Sequence, residues 1–134
     1  YNVVAYAHKV FAAIDALYDY DGIGVWLDAD CVTYKPVPDG FVDDLLQGNY
    51  LAHFKRPGLY TETGMWIMDC AKPEHRGFLD AWRDMYLTDR FKLLQQWTDC
   101  HTLDATIRAS GISTTDLSGE FGKHMDPIKC RYST

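Results

Sequence analysis

The sequence predicts a mixed α/β domain, and two observations carry that expectation. Apolar residues recur at helical spacing in two long segments, and short apolar runs bounded by turn residues fall between them. Segments of the two kinds alternate along the chain, the pattern of a sheet flanked by helices. The 134 residues suffice for one domain spanning 1–134 and are too few for two ordinary ones.

The first segment, 3–17, places Val3, Ala7, Val10, Ile14 and Leu17 on one face of a helix. Residues 18–22 turn the chain into a strand at 22–27, whose apolar run reads as buried on both faces. Pro36 and Pro38 then interrupt regular structure, and Asp39 is placed to cap a short helix ending at Leu46. Strands are expected at 50–54 and 63–69, separated by a loop at 55–61 that holds Pro57 and Gly58. Pro73 opens a helix through Leu87, with Phe78, Leu79, Trp82, Met85 and Tyr86 as its apolar stripe. A last helix starts at Thr98 or Asp99, presents Leu103 and Ile107, and ends at Gly111. The stretch 117–134 has weak periodicity.

Composition excludes several classes. Hydrophobic content of 47% with 14% aromatic residues rules out a disordered chain. A net charge of −6 argues against a nucleic-acid partner, and no apolar run approaches a membrane span. Cys31, Cys70, Cys100 and Cys130 show neither paired nor zinc-like spacing, so free thiols in a cytoplasmic setting are expected.

Asp28-Ala29-Asp30 follows the apolar run Val25-Trp26-Leu27, so two carboxylates leave a strand at its carboxyl end, where ligands bind in open α/β sheets. Oxygen donors of this kind suit Mg²⁺ or Mn²⁺, and either ion can hold a substrate diphosphate at its open positions. The competing reading is a strand-end turn in which both acids satisfy backbone donors. Asp99, at a helix start beside Trp97, is either an acid near a reacting group or a helix cap. Glu62, with Gly64 after it to let a ligand approach the backbone, is either an acceptor contact or a solvated loop residue. The Trp97 ring offers a face for a sugar, whereas Trp66 belongs to the core. Lys9 reaches a phosphate or extends from its helix into water. His8, His53, His75 and His101 show no mutual ligand spacing and read as structural or surface residues.

In order, Trp26-Leu27-Asp28-Ala29-Asp30, Tyr60-Thr61-Glu62-Thr63-Gly64, Trp97-Thr98-Asp99 and Gly122-Lys123-His124-Met125-Asp126 resemble a family of GT-A-type glycosyltransferases of bacteria and phages. The resemblance covers 9–129. It implies a partial GT-A, Rossmann-like mixed sheet, a nucleotide-sugar donor, a hydroxyl acceptor and Mn²⁺ or Mg²⁺. It further implies a direct metal contact from Asp30, a contact from Asp28 to the metal through water or to the donor ribose, and a phosphate contact from Lys9; His124 is the nearby histidine open to serve as a further metal ligand, and Lys129 on the tail either neutralises diphosphate charge or is solvated. Asp99 and Glu62 then serve as catalytic acids, with Trp97 and Gly64 on the acceptor side. The family carries strand-helix units for the nucleotide ahead of the segment matched here, so the chain is expected to be the carboxyl-terminal part of such an enzyme. Pro127 follows Asp126 where the family tends to carry a histidine. These departures keep a second function class in view, a non-catalytic carbohydrate-binding or assembly module. A metal-dependent hydrolase using the same acid pair ranks last, because it calls for more ligands.

Overall fold

The computed structural model describes residues 2–32, 35–56 and 58–121. Helix α1, Val3–Leu17, begins where the Asn2 carboxamide oxygen accepts from the Ala5 N–H at 3.3 Å. Its apolar face buries Val10, Ala13 and Ile14. Strand β1, Ile23–Leu27, follows, then helix α2, Phe41–Leu46, and strands β2, Leu51–Phe54, and β3, Glu62–Asp69. Helix α3, His75–Leu87, a 3₁₀ turn at Arg90–Leu93, helix α4, Asp99–Ser110, strand β4, Thr114–Asp116, and helix α5, Ser118–Phe121, complete the described chain.

The four strands form one mixed sheet in the order β1-β3-β2-β4. β3 pairs antiparallel with both β1 and β2, while β2 and β4 run parallel. On one face α1, α3 and α4 pack through Val10, Ile14, Trp66, Met68, Phe78, Leu79, Trp82 and Leu103. On the other, α2 covers Ala52, Ile67 and Leu117 with Leu45 and Leu46. The apolar stripe expected on α3 is buried throughout, and Trp66 is a core residue.

Three expectations need correction. β1 is an edge strand rather than one buried on both faces: Val25 and Leu27 are 45% and 43% exposed. The reason is that α2, only six residues long, sits over β3, β2 and β4 on that side. Asp39 does not cap α2; Gly40 holds the cap position at φ 77°, a left-handed conformation that glycine adopts freely. Pro73 lies in the turn ahead of α3, which begins at His75. The strand β4 gives no periodic signal because it has only three residues.

Cys70 and Cys100 carry free thiols, and Cys130 lies outside the described residues. Among the described residues, no helix is long and apolar enough to cross a membrane.

Candidate functional site

Antiparallel pairing of β1 with β3 sets Leu27 opposite Met65, so the end of β1 meets the start of β3. The Asp28 N–H continues the ladder by donating to the Gly64 carbonyl at 2.9 Å. α4 begins beside the same strand end, and α1 lies against it from the helical face. Four elements thus bring Lys9, Asp28, Thr63, Gly64 and Asp99 together.

Lys9 is the hub. Its Nζ stands 2.6 Å from Asp28 Oδ1 and 3.0 Å from Asp99 Oδ2. It also donates to the Thr63 carbonyl at 2.9 Å and approaches Thr63 Oγ1 at 3.4 Å. Burial by itself would lower the Lys9 pKa, but the hydrogen bond to Asp28 and the charge of Asp99 outweigh it, leaving the value raised. The ammonium therefore faces inward onto Asp28, Asp99 and the Thr63 carbonyl rather than out into water.

Thr63 completes the buried side. Its hydroxyl donates to Asp99 Oδ2 at 2.7 Å and lies 3.0 Å from Cys100 Sγ. Burial, with the nearby Asp99 carboxylate, pushes the Cys100 thiol up to about 11, so it remains a neutral thiol at pH 7. Asp99 itself is 5% exposed. It does not cap α4, because that position belongs to Thr98, whose hydroxyl accepts from the His101 N–H at 3.4 Å.

On the open side, the turn after β1 is closed by the Cys31 N–H donating to the Asp28 carbonyl at 2.9 Å. The Asp28 side chain instead accepts from Lys9 and from the Trp26 indole N–H, at 2.9 Å for the latter. Asp28 Oδ2 lies 3.6 Å from the position a Cβ on Gly64 would take, and Glu62 Oε1 lies 3.7 Å from it. The bare backbone of Gly64 is thus a cradle between two carboxylate oxygens. Asp30 is exposed in the same turn.

Glu62 is heavily engaged. Its Oε1 accepts from the Thr63 and Gly64 N–H groups at 3.0 and 3.2 Å, and its Oε2 pairs with Arg56 at 2.9 Å. Arg56 also donates to the Tyr60 carbonyl and covers the Tyr60 ring at 4.6 Å, and that ring meets His101 at a tilt of 38° with centroids 3.9 Å apart. Trp97 is 39% exposed, sits edge-on to Phe91 and lines a shallow recess with Lys92, Leu94 and Gln95. A recess of about 240 Å³ between α3 and α4 is walled by Ala81, Met85, Leu93, Ala105 and Ala109 and includes none of the carboxylate cluster. His53 and His75 are buried, as structural residues should be: His53 Nδ1 meets Thr61 Oγ1, and His75 bridges Tyr50 and the Leu17 carbonyl.

Three of the expected site residues, Lys9, Asp28 and Asp99, meet directly, and Glu62 and Gly64 border them. Trp97 is held on the Phe91 side, and His124 and Lys129 lie outside the described residues. Sequence reasoning did not single out Trp26, Thr63 or Arg56. Trp26 had a usable signal, since it precedes Asp28 by two residues on a strand and so shares its face. Thr63 had none, because its proximity to Asp99 depends on how α4 docks.

One ammonium serves two carboxylates in this cluster. Among the described residues no three His, Cys, Asp or Glu side chains converge into a ready metal cage. Carboxylate oxygens beside the bare Gly64 backbone are the donor type that Mg²⁺ and similar ions take when one or two carboxylates hold them. Comparison with family models, with curated proteins and with solved structures finds no match for this chain.

Proposed function

We propose that this chain is the catalytic, acceptor-side part of a metal-dependent glycosyltransferase of GT-A type acting in the cytoplasm. It moves a sugar from a nucleotide-sugar donor to a hydroxyl acceptor. The observation that carries the reading is the convergence of Lys9, Asp28 and Asp99 from three separate segments, with Asp28 Oδ2 also facing the bare Gly64 backbone.

Asp28 and Asp30 would hold Mn²⁺ or Mg²⁺, which when bound supplies Lewis-acid stabilisation of a departing nucleoside diphosphate. Lys9 balances part of the acid charge and ties Asp28 to Asp99. Asp99 is the carboxylate assigned to the reacting sugar or the acceptor hydroxyl. Because its Oδ2 already accepts from Lys9 and Thr63, a proton taken by Asp99 goes to Oδ1. Glu62, which holds its loop through Arg56, is assigned to the acceptor side.

One observation favours a second reading, a carbohydrate-binding or assembly module without catalysis. The Lys9 ammonium, the natural partner for a phosphate, is already engaged by Asp28, Asp99 and the Thr63 carbonyl.

Calorimetric titration of Mn²⁺ and of uridine or guanosine diphosphate, each alone and then together, separates the two. The transferase reading expects each to tighten the other and Asp30→Ala to remove that coupling. Absence of coupling, or coupling that survives Asp30→Ala, overturns it. Metal-independent binding of an oligosaccharide would then support the module.

A further inference from the structure

Trp26 is the residue through which β1 aims Asp28. Its indole N–H donates to Asp28 Oδ1, the same oxygen that Lys9 holds at 2.6 Å. A carboxylate oxygen with two donors on it has little lone-pair density left for a cation. Oδ2 is the oxygen turned toward the Gly64 cradle.

The indole is itself anchored. It lies nearly parallel to Trp66, with centroids 5.8 Å apart and 10° between the planes, and Trp66 is 1% exposed. Lys9 Nζ stands 5.7 Å from the Trp26 ring centroid, so the same indole also steadies the ammonium. Trp66 in turn meets Trp82 of α3 edge-on, which ties the indole to the helical layer. Donors that orient a metal-binding carboxylate commonly govern affinity without touching the ion.

We propose that Trp26 is a positioning residue that occupies Asp28 Oδ1 and presents Oδ2 alone to a divalent cation over Gly64. This rests on the metal-dependent reading of the site. The test is titration of Mn²⁺ alone, followed by the electron paramagnetic resonance of free Mn²⁺, with thermal unfolding measured in parallel. Trp26→Phe keeps a ring on Trp66 and deletes the donor; the expected result is Mn²⁺ binding weakened about tenfold with the thermal midpoint little changed.

Gly64→Ala keeps the test decisive should Trp26→Phe fold poorly. The new methyl makes ordinary contact at 3.6 Å with Asp28 Oδ2, so the fold is retained while the cradle is filled. Weakened Mn²⁺ binding is expected there too. Wild-type affinity in either folded variant, or weakened binding that only tracks a collapse of the thermal transition, overturns the assignment to Trp26 and leaves the metal reading standing. A wild-type protein that takes up no Mn²⁺ overturns the metal reading and this assignment with it.

Discussion

Lys9 and Asp99 form a nearly buried ion pair, 3.0 Å apart, with side chains 20% and 7% exposed. Removing one partner leaves the other charge without compensation in a poorly solvated place. Lys9→Met is therefore expected to destabilise the protein by about 3–5 kcal/mol, measured by urea unfolding. The double variant Lys9→Met with Asp99→Asn should recover most of that loss; an additive result would show that the pair is not coupled.

Backbone space at two glycines gives opposite outcomes. A Cβ on Gly24 would stand 2.7 Å from Leu17 Cδ2 and 3.3 Å from Cδ1, against the inner end of α1. Gly24→Ala should cost about 1–3 kcal/mol by overpacking. Gly64→Ala meets nothing closer than 3.6 Å and should unfold at nearly the wild-type denaturant midpoint.

Stability should depend on pH at both extremes. Burial lowers the His53 pKa below its ordinary 6.5, with the same cause and direction for His101, so the folded protein resists their protonation. Their contribution is present above pH 6.5 and is lost as pH falls toward the depressed values. Lys9 acts at the other end: its raised value keeps its contribution whole below about pH 10.5 and erodes it as pH climbs through that raised value. Calorimetric melting between pH 8 and 5 should show a falling midpoint whose slope shrinks in His53→Gln.

The start of α4 rests on one hydroxyl. Thr98 Oγ1 accepts from the His101 N–H and contacts its ring Nδ1 at 2.8 Å. Thr98→Ala should cost about 1 kcal/mol in chemical unfolding, and Thr98→Ser should restore it.

The uncovered face of β1 predicts tolerance. Val25 is 45% exposed, so Val25→Thr should change the unfolding free energy by no more than about 0.5 kcal/mol. A loss of several times that amount would mean that the face is covered in solution.

How much of this could be read from the chain divides by the range of the forces involved. The stripe on α3 was legible because burial of one helix face writes a periodic pattern into a single segment. The ends of α4 were legible because Thr98 and Gly111 satisfy helix termini through local chemistry, a side-chain cap and a left-handed residue at φ 64°. β1 was recognised as a strand but misjudged as buried, since an apolar run does not say how far a neighbouring helix extends. The candidate site was legible in part: Asp28, Asp99 and Lys9 could be named as candidates, but that one ammonium joins the two acids could not.

The sequence by itself determined the mixed α/β alternation and an acid pair at the end of a strand, because periodicity, caps and turns act within a few residues. Only the tertiary structure decided that Lys9 turns inward to join Asp28 to Asp99, and that Gly64 lies bare between Asp28 Oδ2 and Glu62 Oε1. Those relations follow from the register of β1 on β3 and the docking of α1 and α4, where charge and shape meet across segments distant in the chain.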